Sequence, residues 1–152
     1  MTTLIICSSR SPHANTTRIA HTIADTIDAQ VVTPDQATPE LITAADRTGF
    51  GSGIYWMNFD RGLLRLVDRL ADGAGREAFI FATSGLPETP LRRYTHAFRK
   101  TLEDKGFRVI DTFTCRGLDT MGPLAVVGGL NKQRPNPGDL DAARRFALQL
   151  SD

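Results

Sequence analysis

The sequence predicts a doubly wound α/β fold, in which helices cover both faces of a five-stranded parallel sheet. Short apolar runs and amphipathic segments alternate along the 152 residues, the order that parallel sheets require. The run at 77–85 is apolar without alternation, which is typical of a strand buried on both faces. We expect the strand order 2-1-3-4-5 and a single domain over residues 1–152.

The first half of the chain supplies three of these strands. They are predicted at residues 3–7, 29–32 and 48–54. A helix over 16–27 follows from Ile19, Ile23 and Ile27, which are four residues apart. The connection to the third strand contains a short helix beginning at Pro39. The prediction of the third strand is weaker because the run contains glycines, which are unfavourable inside strands.

The second half continues the alternation. Its predicted elements are a helix over 58–72, strands at 77–85 and 107–115, and helices over 90–106 and 139–150. Leu63, Val67 and Leu70 share one face of the first of these helices. Gly106 is a candidate for the C-cap of the helix that it closes. The segment 116–138 is long and rich in Gly and Pro, which in a compact domain indicates a functional connection.

Composition excludes several classes of partner. Hydrophobic residues make up 41% of the chain and charged residues 23%, and the net charge is +1. This balance points to neither nucleic acid nor an anionic membrane as a partner. No apolar run approaches the roughly 20 residues of a membrane span, and the first residues do not resemble a signal peptide. We therefore expect a cytoplasmic protein.

The two cysteines predict neither a metal site nor a disulfide. Cys7 and Cys115 form no Cys-x-x-Cys pair, so a zinc site is disfavoured. In the order 2-1-3-4-5 their strands lie three steps apart, about 14 Å, which exceeds disulfide reach. We expect Cys7 to be a small buried hydrophobic residue rather than a nucleophile.

Ligands of such folds bind beyond the carboxyl ends of the strands. The loops at these positions carry hydroxyls, amides, glycines and aromatic rings, without a convincing acid–base pair. This chemistry favours binding over bond cleavage, and we predict no catalytic residue.

The loop "SSRSPHANTT", residues 8–17, joins the first strand to the first helix. Its short polar side chains and the free N–H groups of the helix start suit a phosphate. The same residues also fit a simple N-cap at Asn15 or Thr16, so both interpretations stay open. A P-loop run is absent from the sequence, and His13 stands where a small tyrosine phosphatase would have its arginine, six positions after Cys7.

The stretch "GFGSGIYW", residues 49–56, places three glycines before two large rings. We expect Gly51, Ser52 and Gly53 to bring backbone groups to a ligand edge. Tyr55 and Trp56 fit either a wall for a flat ligand or the core. A phosphate site and an aromatic wall together describe a mononucleotide with a flat ring system.

On these residues the chain resembles the flavodoxin family, whose members bind FMN non-covalently. The run "HANTTRIA" is similar to the family's Thr-Gly-Asn-Thr phosphate loop, with His13 and Ala14 at the Thr-Gly positions. "GFGSGIYW" and "FIFATSG" are similar to stretches that flank the flavin ring. The resemblance extends over nearly the whole chain and implies a flavodoxin-like three-layer sandwich.

The resemblance also implies roles for individual residues. The phosphate would be held by the loop residues Ser9, Ser11, His13, Ala14, Asn15, Thr16 and Thr17. The ring would be lined by Gly53, Ile54, Tyr55 and Trp56, with Ser84 and Gly85 at its other edge. Asp119, with Thr120, would close over it.

The implied function is FMN-dependent electron transfer between a reductase and an acceptor protein, an electron carrier rather than an enzyme with its own substrate. Two alternatives remain: an NAD(P)H-dependent FMN or quinone reductase of the same fold, and a regulatory module without FMN. Flavodoxins are usually strongly acidic, whereas this chain is nearly neutral. We therefore expect redox partner proteins that are not recruited by long-range charge.

Overall fold

The computed structural model describes residues 2–8, 15–55, 58–70, 72–84, 88–116 and 137–150. The strands are β1 (Thr3–Ser8), β2 (Gln30–Val32), β3 (Arg47–Tyr55), β4 (Asn58–Phe59), β5 (Glu77–Ser84) and β6 (Arg108–Arg116). The helices are α1 (Asn15–Ile27), α2 (Pro39–Ala44), α3 (Arg61–Arg69), α4 (Glu88–Asp104) and α5 (Pro137–Leu150). The described helices include none that is long and apolar enough to cross a membrane.

Five strands form a parallel sheet in the order β2-β1-β3-β5-β6. This is the predicted order 2-1-3-4-5, so the fold class is confirmed. The β1–β3 ladder ends at the pair Ser8–Ser52, and the β3–β5 ladder continues to Gly53–Thr83. The carboxyl ends of the central strands therefore meet at one edge of the sheet, which we call the carboxyl edge.

One strand, β4, is not among those predicted from the sequence. We expected a helix over 58–72, but Asn58 and Phe59 form β4, which pairs antiparallel with the end of β3. The helix begins only at Arg61, because Asp60 caps it by accepting a hydrogen bond from the N–H of Gly62 at 2.9 Å. Phe59 is buried and stacks on Phe98 with ring centroids 4.4 Å apart.

Each face of the sheet carries its own core. One face packs against α3 and α4 around Phe50, and the other packs against α1 and α5 around Ile19 and Phe146. β5 lies between them, and its residues Ala78 to Ala82 are fully buried. This double coverage explains why the sequence of β5 is apolar without alternation.

The glycines of β3 make room for aromatic rings of the neighbouring strand. Gly49 and Gly51 pair with Phe79 and Phe81 in the β3–β5 ladder. A Cβ atom on Gly49 would lie 2.3 Å from the ring of Phe79, and one on Gly51 would lie 2.0 Å from the ring of Phe81. Gly51 also pairs with Cys7 of β1. The expectation that Gly51 faces a ligand is therefore wrong, because this residue lies inside the sheet against the Phe81 ring.

A glycine C-cap ends α4, and ion pairs join the amino ends of neighbouring strands. Gly106 has a φ of +94°, and the N–H of Phe107 donates to the carbonyl of Leu102 at 3.1 Å, as in a Schellman cap. The predicted C-cap is thus confirmed. At the opposite end of the strands from the carboxyl edge, the carboxylate of Glu77 pairs with Arg47 at 3.2 Å and with Arg108 at 2.7 Å.

Candidate functional site

The structure describes part of the predicted cofactor site. Seven of the proposed residues lie outside the described residues: Ser9, Ser11, His13, Ala14, Trp56, Gly85 and Asp119. For four others the structure describes the backbone: Asn15, Ile54, Tyr55 and Ser84. Thr16, Thr17 and Gly53 are described in full, and all three lie at the carboxyl edge or beside it.

Helix α1 begins at this edge with Asn15 as its first residue. Its first turn carries no acidic side chain. By contrast, Glu40 lies in the first turn of α2 and the carboxylate of Asp60 caps α3. The positive end of the α1 dipole is therefore not offset by a carboxylate of its own first turn.

Two buried hydroxyls join this helix to the sheet. Thr16 Oγ1 lies 2.6 Å from Thr83 Oγ1, close enough for a strong O–H···O hydrogen bond. Thr16 is 1% exposed and Thr83 is 4% exposed. Thr83 pairs with Gly53 in the β3–β5 ladder, so this bond brings two of the predicted site residues, Thr16 and Gly53, close to the end of β5.

Thr17 does not join that pair, because its side chain makes a hydrogen bond with Cys7. Burial raises the pKa of the Cys7 thiol to about 12, and the bond to Thr17 opposes that shift by a smaller amount. Cys7 is a free, buried cysteine, as the sequence predicted. Thr17 is half-buried, its described hydrogen bond goes to Cys7, and its role toward a ligand stays a prediction.

A thiol with a pKa raised by burial is expected to react slowly in the folded protein, and this applies to Cys7. At pH 8 about one thiol in ten thousand would be ionised, since only the thiolate reacts and its fraction falls tenfold per pH unit below the pKa. In a Cys115→Ser background, we expect iodoacetamide to leave the native protein unlabelled at pH 8 and to label it fully in urea. Labelling of the native protein at the rate of a free cysteine would contradict this burial.

A second polar contact fixes the turn between β3 and α3. Ser52 is fully buried, and its hydroxyl accepts a hydrogen bond from the N–H of Asp60 at 2.9 Å. This contact ties the β3–β4 hairpin to the end of β3. Ile54 and Tyr55 lie on this hairpin, where their backbones pair with Phe59 and Asn58.

Sequence reasoning missed Thr83 and Asp60. Thr83 belongs to the run "FATSG", in which the resemblance implies roles for Ser84 and Gly85 but not for the hydroxyl one position earlier. Asp60 directly precedes the helical residue Arg61, and an aspartate in this place is a recognised N-cap signal.

Comparison with known proteins places this chain among others of the same fold. No family model matches it. An uncharacterised protein of Methanocaldococcus jannaschii is 38% identical over 139 residues, and the match covers 91% of each chain.

Several solved structures have the same fold as this chain. The chain is similar to oxidised flavodoxin 2 from Bacillus cereus, with a TM-score of 0.74 and 17% identity over 99% of this chain and 98% of that one. It is also similar to general stress protein 14 from Treponema denticola in complex with FMN, with a TM-score of 0.66 and 14% identity over 99% and 97% of the two chains. An NADH:FMN oxidoreductase in its apo form has a TM-score of 0.66 at 18% identity, over 97% and 89%. This chain therefore belongs to one family with the protein of Methanocaldococcus jannaschii, and its fold is the flavodoxin-like fold.

Proposed function

We propose that this protein binds FMN non-covalently and carries electrons between a reductase and an acceptor protein. The observation that carries the proposal is the buried Thr16–Thr83 hydroxyl pair at the start of α1. FMN would supply the redox chemistry, and the protein would bind and orient it. The similar protein from Treponema denticola, solved with FMN, supports the choice of cofactor.

The described residues at the start of α1 fit the phosphate end of FMN. A phosphate needs hydrogen-bond donors and is repelled by carboxylates. The first turn of α1 has N–H groups without a partner inside the helix, by helix geometry, and no acidic side chain. Thr16 adds a hydroxyl that is shielded from water, where a hydrogen bond to a charged group is stronger than at the surface.

The β3–β4 hairpin fits a support for the flavin ring. It directly follows Gly53 and is held by the Ser52–Asp60 hydrogen bond. Backbone pairing of Tyr55 with Asn58 fixes the end of β3. An aromatic residue on such a fixed element can present its ring to a flat ligand without a large loss of conformational entropy.

Tyr55 and Trp56 provide a direct test of this ring site. If they line the flavin, FMN should strongly quench the fluorescence of the single tryptophan. Replacing both by alanine should weaken FMN binding by about 2 kcal/mol or more, from lost stacking of about 0.5–1.5 kcal/mol per ring and lost burial. Unchanged affinity together with a lower Tm would instead assign both rings to the core.

The carrier role depends on what reduces the flavin. Among the described residues of the carboxyl edge, the Thr16 and Thr83 side chains bond to each other and the Asp60 carboxylate caps α3. These groups make hydrogen bonds that stabilise the fold, and among the described residues they form no acid–base pair. The chemistry would therefore remain with the flavin and the selectivity with protein partners.

An NAD(P)H-dependent FMN or quinone reductase is the second candidate, favoured by the structural likeness to an NADH:FMN oxidoreductase. A kinetic assay separates the two. The FMN-loaded protein should oxidise NADH or NADPH only after a separate flavodoxin reductase is added. Rapid oxidation by the protein alone, with free flavin or a quinone as acceptor, would favour the reductase and contradict the carrier.

A further inference from the structure

The Thr16–Thr83 hydrogen bond spans 67 residues of sequence and links the first turn of α1 to the end of β5. By alternation along β5, Thr83 faces the same side of the sheet as Phe79 and Phe81, the side that α1 covers. Its partner on β3 is Gly53, which has no side chain to stand between the helix and Thr83. At this point, therefore, no side chain of β3 separates α1 from Thr83.

The two hydroxyls carry two hydrogen atoms, and their mutual bond uses one. Either Thr16 donates to Thr83, or Thr83 donates to Thr16 and leaves the hydrogen of Thr16 for a third group. An acceptor near the start of α1 selects the second arrangement. In that arrangement the two bonds polarise each other and strengthen together.

We propose that Thr83 is a positioning residue for the phosphate of the ligand: it donates to Thr16 Oγ1 and thereby directs the Thr16 hydroxyl hydrogen toward the phosphate. The inference rests on the proposed function, because the anion is the phosphate of FMN. It adds a residue of β5, the fourth strand of the parallel sheet along the chain, to the determinants of phosphate recognition. Thr83 itself need not touch the ligand.

A purely structural role for the bond predicts a different outcome. If the bond only packs α1 on the sheet, its loss lowers stability and weakens every flavin to a similar extent. If Thr83 orients Thr16, its loss weakens FMN selectively, because riboflavin has the same ring but no phosphate. The ratio of the two dissociation constants therefore separates positioning from packing.

The test uses the apoprotein and three variants. Thr83→Val keeps the β-branched shape and removes the hydroxyl, while Thr83→Ser keeps the hydroxyl. Thr48→Val is the matched control, because Thr48 is 2% exposed and lies in β3. Thr48 is five residues before Gly53, about 16 Å along the strand.

We expect Thr83→Val to raise the Kd for FMN about tenfold, as for the loss of one hydrogen bond to a charged group. The Kd for riboflavin should change less than about twofold, because riboflavin lacks the phosphate that the Thr16 hydroxyl would contact. Thr83→Ser should restore most of the FMN affinity, and Thr48→Val should leave the ratio unchanged. If Thr83→Val does not fold, Thr83→Ala serves as the second hydroxyl-free variant.

Equal losses for FMN and riboflavin, or no loss for either, would overturn the positioning role while leaving FMN binding intact. Failure of the unchanged protein to bind FMN would overturn the proposed function, and this inference with it. The two failures are distinguished by the unchanged protein alone.

Discussion

The apoprotein is expected to bind FMN at least about 100-fold more tightly than riboflavin. The phosphate would accept hydrogen bonds from the Thr16 hydroxyl and from N–H groups of the α1 start. Two such bonds to a charged group contribute about 1.5–3 kcal/mol each, and each 1.4 kcal/mol is about tenfold in affinity. Fluorescence titration of the apoprotein with each flavin measures the ratio directly.

Valine variants of the two adjacent threonines provide the control. Thr16→Val should reduce the preference for FMN by about tenfold or more, because it removes a buried donor. Thr17→Val should change the preference much less, since its side chain bonds to Cys7 in the core. Equal affinities of the unchanged protein for the two flavins would show that no phosphate binds at the start of α1.

Replacing Gly51 by alanine should destabilise the protein by roughly 3 kcal/mol, the upper end of what overpacking a core costs. The added methyl would lie 2.0 Å from two carbons of the Phe81 ring, which is itself fully buried. Elsewhere in a strand the same substitution would stabilise, because glycine loses more backbone entropy on folding. The sign of the effect is therefore informative, and urea unfolding measures it.

A double mutant isolates the cause of that loss. Phe81→Leu removes the ring that Gly51 accommodates, so adding Gly51→Ala in this background should cost much less than in the unchanged protein. The difference is the coupling free energy of the pair. Equal costs in both backgrounds would mean that the glycine is required for another reason.

The main elements of the fold follow from local patterns, which is why they could be predicted. Isoleucines four apart predict α1, and Ile19 and Ile23 are indeed fully buried. The continuous apolar run of β5 predicts a central strand, and β3 and β6 pair with it on either side. Both signals lie within about ten residues, the range over which periodicity can be recognised.

The features that escaped prediction depend on distant residues. β4 has two residues, too few for any periodicity, and is defined by its pairing with β3. Gly51 is glycine because of Phe81, which lies thirty positions further along and meets it only through the strand register. Sequence alone could not separate a glycine that approaches a ligand from one that accommodates a ring.

The candidate site shows the same division. Hydroxyl residues before a helix predicted an anion site, and the structure brings Thr16 to the carboxyl edge. Thr16 and Thr17 are equivalent in the sequence pattern, yet the helix turns one toward Thr83 and the other toward Cys7. Only the rotation of α1 on the sheet distinguishes them.

The most direct test of FMN binding is reconstitution. The apoprotein is mixed with excess FMN, free flavin is removed by gel filtration, and the visible absorption spectrum gives the flavin retained per chain. We expect one tightly bound FMN per chain, with a flavin spectrum perturbed by the protein. A colourless protein that retains no flavin would contradict it.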